Sequence, residues 1–131
     1  MAFYKVKAFG RFARQNGIPD SVLFQAAQEV LDGSYEADLG GGVFKKRVAR
    51  DGGGKSGGYR TFVTHKTSDH LFFVYGFPKS QRDNIDEKEE KALKKMAKEF
   101  GKLTQAQIEE AIAAGEISEI EDDDEGVEEA E

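Results

Sequence analysis

The sequence predicts an α+β fold in which N-terminal helices pack on a small antiparallel β-sheet and further helices follow near the C-terminal end. Three observations predict it. Apolar residues recur with a helical period up to residue 33, strand-like runs rich in β-branched and aromatic residues occupy residues 43–77, and two helix-capping patterns follow. With 131 residues and 38% hydrophobic content, the chain has apolar material for one core and is too short for two domains.

Two helices are predicted in the N-terminal part. The first covers residues 9–16, where Phe9 and Phe12 are spaced for one helical face, and it ends at Gly17. Pro19 stands where a helix can start, and the second helix runs from there to Gly33. Its apolar stripe consists of Val22, Leu23, Ala26, Ala27, Val30 and Leu31.

Three strands follow a loop at residues 35–42. They are predicted at residues 43–49, 59–65 and 71–77, and a turn at Thr67-Ser68-Asp69 joins the last two. The final strand, LFFVYGF, is apolar on both faces. We therefore expect it at the centre of the sheet, covered by helices on at least one side.

Two capping boxes predict the C-terminal helices. Asp86 and Glu89 start a helix that runs to about residue 100. Thr104 and Gln107 start a second one, at residues 105–114, which ends at Gly115.

The last sixteen residues form an acidic tail. Residues 116–131 contain ten acids and no base, so the net charge of −6 becomes +4 over residues 1–115, which hold 19 basic and 15 acidic residues. We expect disorder from about Ile120 onward and divide the chain into a domain at 1–118 and a tail at 119–131. The tail is either an inert solubilising extension or a flexible competitor for the basic stretch described next.

Residues 40–60 form a basic stretch, GGGVFKKRVARDGGGKSGGYR. It contains six of the nineteen Lys and Arg residues and one acid, Asp51. Strand alternation places Lys46 on one face with Phe44 and Val48, whereas Lys45 and Arg47 project from the other face. Because two cations side by side on an open sheet face repel each other, we interpret that face as a site for a polyanion. The alternative is an ordinary solvated strand face.

The glycines of this stretch do not form a nucleotide-binding phosphate loop. Gly54-Lys55-Ser56 matches the end of GxxxxGK[ST], but Ala49 stands at the leading glycine position and a strand, not a helix, follows. We predict a hairpin loop at residues 51–58 whose glycines adopt positive φ angles. Such a loop would let Lys55 and Arg60 reach a backbone phosphate.

Composition indicates a cytoplasmic protein. The chain has no cysteine, which excludes disulfides and thiolate metal sites. The N-terminal residues lack the apolar core of a signal peptide, and no segment approaches the length of a membrane span. We therefore expect no membrane partner.

The segments FKKRVARDGGGKSGGYRTFV and LFFVYGFPKSQRDNI resemble the RelE/ParE superfamily of toxins from bacterial toxin–antitoxin modules, and GKSGGYR is similar to a RelE-like branch. The resemblance covers about residues 20–118. It implies a compact domain similar to microbial ribonucleases, a cognate antitoxin partner, and cleavage of mRNA on the ribosome without a metal or other cofactor. The chemistry implied is attack of the RNA 2′-hydroxyl on the adjacent phosphate.

The resemblance also implies site residues. Arg47 and Arg60 are assigned to phosphate stabilisation, and Arg60 is expected to face the ligand and not the core. Lys55 or Lys79 is assigned to proton transfer. The RNA-binding residues are expected to be Lys45, Lys46, Arg50 and Arg82.

The general base stays unassigned. RelE-type enzymes often have a tyrosine near the C-terminal end, but Asp83-Asn84-Ile85-Asp86 follows Arg82 here. The chain has two histidines, His65 and His70, and a lone strand histidine is more often structural than catalytic. Tyr59 and Tyr75 are interpreted as core or stacking residues.

Three functions fit these patterns. The first is a ribosome-dependent mRNA endoribonuclease neutralised by an antitoxin. The second is a ParE-like, non-enzymatic gyrase inhibitor, and the third is a nucleic-acid-binding protein without catalysis. The basic residues Lys55, Arg60, Lys79 and Arg82 favour the first, since a gyrase binder has no evident need for converging cations.

Overall fold

The computed structural model describes residues 2–50, 54–66 and 70–122. Within these residues the chain forms four helices and six strands, which confirms the α+β class. The elements in chain order are β1 (Ala2–Val6), α1 (Lys7–Gln15), α2 (Asp20–Leu31), β2 (Ala37–Gly40), β3 (Val43–Arg50), β4 (Gly54–Thr64), β5 (His70–Pro78), α3 (Glu87–Phe100), α4 (Gln105–Ala113) and β6 (Ile117–Glu119).

The strands form one sheet in the order β2-β3-β4-β5-β1-β6. All neighbouring strands are antiparallel except β1 and β5, which run parallel and make the sheet mixed. The three strands predicted from sequence are β3, β4 and β5. The expected interior position of β5 is confirmed, since it lies between β4 and β1.

The sequence patterns missed β1, β2 and β6. These strands have five, four and three residues, which is too short for alternation to show clearly. A two-residue turn at Gly41 and Gly42 joins β2 to β3, with φ angles of 64° and 87°. Positive φ at both positions is what a tight hairpin of this kind requires, so the glycines allow β2 to fold back on β3.

Helices cover both faces of the sheet. On one face, α1 packs on β5, with the ring centroids of Phe9 and Phe73 5.1 Å apart. On the other, the end of α3 stacks on β5, with Phe100 and Phe72 4.6 Å apart. The predicted cover of β5 is therefore confirmed on both sides. In the described part of the chain, no helix has the length and apolar content needed to cross a membrane.

Both predicted capping boxes are present. The Asp86 carboxylate accepts from the Glu89 backbone N–H at 2.8 Å, and the Glu89 carboxylate accepts from the Asp86 N–H at 2.9 Å. Thr104 and Gln107 exchange the same pair of bonds at the start of α4. These contacts satisfy N–H groups that the first turn of a helix leaves unpaired.

The glycine loop is shorter than predicted. β4 begins at Gly54, so Gly54 to Gly58 belong to a strand, and residues 51–53 lie outside the described part. Gly58 does not have a positive φ. A Cβ atom there would lie 2.8 Å from the carbonyl O of Val48, so glycine is needed for the close approach of β4 to β3. The predicted turn at residues 67–69 also lies outside the described part.

The fold extends further toward the C-terminus than expected. Ile120, where we expected disorder to begin, is 2% exposed, and its N–H donates to the carbonyl O of Phe3 at 2.8 Å. Order therefore continues past Ser118. Residues 123–131, which hold most of the acidic tail, lie outside the described residues, and the division into domain and tail remains a prediction.

Candidate functional site

The pairing of β3 with β4 decides which cations share a face of the sheet. Arg47 lies directly opposite Arg60, and Lys45 lies opposite Phe62. Lys45, Arg47 and Arg60 therefore point to the face covered by α3, as alternation along β3 predicted. Lys46 points to the opposite face, toward α2.

Lys45 and Arg60 converge on one backbone carbonyl. Lys45 Nζ donates to the carbonyl O of Asp83 at 3.0 Å, and Arg60 Nε donates to the same atom at 3.4 Å. Lys45 Nζ also donates to Oδ1 of Asn84 at 3.3 Å. The segment after β5 thus folds over the two cations.

The expectation of an open sheet face is wrong for Lys45 and Arg60, whereas a contact between Arg60 and a ligand stays a prediction. Lys45 is 7% exposed and Arg60 is 6% exposed, because the segment around Asp83 and the side chain of Glu36 cover them. Arg47 does project into solvent. Of Lys45 and Arg47, the two β3 cations expected on an open face, Arg47 is exposed and Lys45 is not.

Glu36 supplies the negative charge for the pair. Its Oε1 lies 3.5 Å from Arg60 Nε and its Oε2 lies 3.8 Å from Lys45 Nζ. The backbone N–H of Glu36 donates to the carbonyl O of Lys45 at 2.7 Å, which holds the carboxylate at this place just before β2. Sequence reasoning missed Glu36. The sequence feature that could have indicated it is an acid shortly before the glycine turn that joins β2 to β3.

Arg60 retains unused hydrogen-bonding capacity. Its Nη1 atom is buried and has no hydrogen-bond partner among the described residues. An unpaired buried donor typically costs about 1–3 kcal/mol, more when it is charged. We call Lys45, Arg60 and Glu36 the cation cluster.

Arg82 anchors the segment that covers the cation cluster. Its Nη1 and Nη2 atoms donate to the two carboxylate oxygens of Glu89 at 3.0 and 2.6 Å, and its Nε donates to the carbonyl O of Asn84 at 3.0 Å. Its guanidinium also lies 5.0 Å from the ring centre of Phe77. Arg82 is thus engaged within the chain, and an RNA contact by Arg82 stays a prediction.

The Arg82 contact changes the acidity of its neighbours. The hydrogen bonds from Arg82, followed by the one from the Asp86 backbone, lower the pKa of Glu89 to about 2. The same pairing raises the pKa of Arg82 above its ordinary value. Burial raises the pKa of Tyr75, and the hydrogen bond that its hydroxyl donates to Glu89 at 3.0 Å raises it further. Glu89 therefore stays ionised and holds α3 to this segment.

Lys46 lies apart from the cation cluster. Its Nζ donates to the carbonyl O of Ser34 at 2.9 Å and lies 2.8 Å from Oε1 of Glu29. The hydrogen bond from Lys46 lowers the pKa of Glu29. Lys46 thus connects β3 to α2 on the face away from Arg60.

The remaining predicted cations are Lys79, Arg50 and Lys55. The Lys79 side chain is half-buried, and its backbone N–H donates to the carbonyl O of Gly58 at 3.0 Å, so Lys79 follows directly after the β4–β5 ladder. The backbones of Arg50 and Lys55 lie in β3 and β4, but their side chains lie outside what the structure describes. Their roles remain predictions.

The histidines lie away from the cation cluster. His65 follows the far end of β4, five residues and about 16 Å along the strand from Arg60. Its Nδ1 lies 3.1 Å from the carbonyl O of His70. Tyr59 is a core residue, as interpreted from sequence, with its hydroxyl donating to the carbonyl O of Asn16 at 3.3 Å.

The comparisons with known proteins complete this description. No curated protein sequence matches the chain. The family model described as the RelE toxin of the RelE/RelB toxin–antitoxin system matches residues 1–120, which is a longer span than the motifs alone indicated. The match includes β1 and every residue of the cation cluster. The chain with this buried cation pair belongs to the RelE toxin family of toxin–antitoxin systems.

Proposed function

We propose that this RelE-family toxin is a ribosome-dependent endoribonuclease that cleaves mRNA and so inhibits translation. Membership of the family implies an antitoxin partner. The observation that supports the catalytic proposal most is the cation cluster. Two nearly buried cations meet a partly exposed carboxylate, and a buried nitrogen of Arg60 has no partner among the described residues.

Lys45 and Arg60 supply the positive charge that phosphoryl chemistry needs. When the RNA 2′-oxygen attacks phosphorus, negative charge builds up on the non-bridging oxygens. Cations fixed in advance in a site of low dielectric stabilise that charge more strongly than water does. The guanidinium of Arg60 is a planar fork with several N–H donors, a shape that suits phosphate oxygens. Arg47, opposite Arg60 and exposed, adds a third cation on the same face.

Glu36 is our candidate for the general base. Its side chain is 32% exposed, whereas those of Lys45 and Arg60 are 9% and 7% exposed, so the carboxylate lies on the solvent side of the cluster. RNA would approach Arg60 from that side. In this proposal Glu36 accepts the 2′-hydroxyl proton, the new 2′-oxygen to phosphorus bond forms, and the bond to the 5′-oxygen breaks.

A proton donor for the 5′-oxygen completes the reaction. Lys79, directly after β5, or Lys55, in the first part of β4, is proposed for this role. The products are a 2′,3′-cyclic phosphate and a 5′-hydroxyl. Every step uses side chains alone.

Purified ribosomes carrying a defined mRNA provide the test. Primer extension should reveal new 5′ ends when wild-type toxin is added, and none when ribosomes are omitted. Glu36→Gln keeps the size of the side chain but removes its negative charge and cannot accept the proton, so cleavage should fall by about 10²–10⁴-fold. Wild-type cleavage by this variant would remove Glu36 from the mechanism. Gyrase inhibition without any mRNA cleavage would support the ParE-like alternative instead.

A further inference from the structure

Helix α3 carries a row of exposed lysines. They occur at spacings of three and four residues, which place them on one side of an α-helix. At about 1.5 Å per residue, the row spans about 21 Å. Gly101, in a right-handed helical conformation, continues the row past the end of the helix. We call the following residues, all exposed, the lysine row: Lys88, Lys91, Lys95, Lys98 and Lys102.

The lysine row faces away from the core. Leu93 and Ala97, the buried residues of α3, lie on the opposite side of the helix. Within the described residues, no member of the row forms an ion pair, although Lys94 on the neighbouring side pairs with Glu90 at 2.9 Å. Glu87 and Glu99 flank the row without pairing to it.

Such a row is unfavourable in the isolated protein. Like charges three or four residues apart on a helix destabilise it by about 0.2–0.5 kcal/mol per pair. Five positive charges in a line, none of them in an ion pair within the described residues, form a surface that complements a linear array of negative charges. A solvated helix face would more commonly mix both signs, as Lys94 and Glu90 do.

The chemistry of the row favours a phosphate backbone over a protein partner. Protein interfaces are enriched in aromatic residues and depleted of lysine, and the row contains no aromatic or aliphatic anchor. The exposed large hydrophobic residues in the described part of the chain, Tyr35 and Ile112, lie on other elements. Lysine is a compact point charge that contacts phosphates without reading base sequence.

The row lies on the helix that covers the same face of the sheet as the cation cluster. Lys88 precedes Glu89, which holds Arg82, and Arg82 lies over the ring of Phe77. Phe77 is the β-ladder partner of Arg60. The row and the cation cluster therefore belong to the same side of the sheet.

We infer that the lysine row binds the phosphodiester backbone of a double-stranded region of RNA, because it has no aromatic side chain on which the bases of a single strand would stack. Binding there would position that RNA on the same face of the sheet as the cation cluster. The choice of RNA rests on the proposed function. The row itself is a binding surface and takes no part in the chemistry.

The test compares two triple variants that lose the same charge. Lys91, Lys95 and Lys98 are replaced by Gln in the first variant. The control replaces Lys7, Arg11 and Arg14, which are exposed on α1 over the other face of the sheet, by Gln. Binding of a fluorescent RNA duplex is measured by anisotropy over a range of salt concentrations.

The lysine-row variant should bind at least about tenfold more weakly at low salt, and the slope of log K against log salt should fall by about 2–3, because each lost phosphate contact removes about 0.7–0.9. The control should keep the wild-type slope. Equal losses in both variants would show a net-charge effect and overturn the inference, as would no loss in the lysine-row variant. Tighter binding of duplex DNA, lost on the same substitutions, would overturn the assignment to RNA.

A separate readout distinguishes this inference from the proposed function. Glu36→Gln, which removes a negative charge beside Arg60, should bind the RNA duplex at least as tightly as the wild type while losing mRNA cleavage. If the wild type cleaves no mRNA but still binds the duplex through the lysine row, the proposed function is wrong and the binding surface stands. If the lysine-row variant keeps duplex binding but no longer binds the cognate antitoxin, the row is a protein-docking surface and the inference is wrong.

Discussion

Oε1 of Glu36 lies 3.5 Å from Nε of Arg60, and the two side chains differ greatly in exposure, at 32% and 7%. The carboxylate is therefore the partner with access to solvent, and the guanidinium is fixed beneath it. At this distance the contact is an ion pair without a short hydrogen bond. An incoming phosphate can shift Glu36 without breaking a tightly bonded pair, whereas Arg60 stays in place.

Substitution of Arg60 should separate catalysis from stability. Arg60→Lys keeps the positive charge but loses the planar fork, so mRNA cleavage should fall by roughly a hundredfold, or about 3 kcal/mol. Its melting temperature should stay near that of the wild type. An mRNA cleavage assay on ribosomes measures the loss of activity, and thermal unfolding measures the melting temperature. Wild-type cleavage in a folded Arg60→Lys variant would exclude Arg60 as the phosphate ligand.

Arg60→Ala should destabilise the fold, which makes it a less suitable test of catalysis than Arg60→Lys. Because Arg60 is nearly buried and contacts both Glu36 and the Asp83 carbonyl, its removal leaves polar groups without partners. We expect the free energy of unfolding to fall by about 1–3 kcal/mol. Urea denaturation measures it, and an unchanged unfolding free energy would show that the cluster adds nothing to stability.

Lys46→Gln should affect stability and leave RNA cleavage unchanged. The substitution removes the ion pair with Glu29, which connects β3 to α2, so the free energy of unfolding should fall by about 1 kcal/mol. Arg47→Gln, on the exposed side of the same strand, is the matched comparison and should weaken RNA binding without loss of stability. Reduced RNA binding by a fully folded Lys46→Gln variant would support the RNA-binding role that the sequence predicted.

The Arg82–Glu89 contact should make stability depend on pH in the acidic range. The pKa of Glu89 is lowered from 4.5 to about 2 in the folded protein, so the contribution of the contact is present above about pH 4.5 and is lost as the pH falls toward 2. The melting temperature of the wild type should fall over this range more steeply than that of Glu89→Gln. Parallel curves for the two proteins would show that Glu89 is not the group responsible.

Removal of the acidic tail should leave RNA affinity unchanged. The cut belongs after Asp122, because Ile120 is buried against Phe3, and a cut after Ser118 would damage the core. The chain leaves the sheet at β6, at the opposite edge from β2 and β3, which favours the inert interpretation of the tail. Affinity for RNA that rises on truncation at low salt and returns to the full-length value at high salt would instead show competition by the tail.

Features set by neighbouring residues were predictable from the sequence. Because side chains alternate along a strand, the sequence predicted that Lys46 lies on one face of β3 and that Lys45 and Arg47 lie on the other. The capping-box pattern, in which residues three positions apart exchange hydrogen bonds, predicted the helix starts at Asp86 and Thr104. These arrangements depend on the local backbone alone.

Features set by distant parts of the chain were not predictable. The parallel pairing of β1 with β5 joins residues about seventy positions apart, and nothing in AFYKV specifies it. The burial of Arg60 depends on Glu36 and on the carbonyl of Asp83, which lie more than twenty residues before and after Arg60 in the sequence. The local sequence of a basic strand is the same whether its cations are exposed to solvent or covered by other segments, so the burial of Arg60 could not be predicted from it. The spacing of the lysine row is visible in the sequence, but its exposure and its lack of ion pairs depend on the packing of α3.

Mapping of mRNA 5′ ends after induced expression tests the central proposal most directly. Wild-type toxin should produce new 5′-hydroxyl ends within translated regions soon after induction, and the Glu36→Gln and Arg60→Lys proteins, expressed at equal levels, should not. Growth arrest by the wild-type protein without new ends in translated mRNA would contradict the proposal that this toxin is an mRNA endoribonuclease.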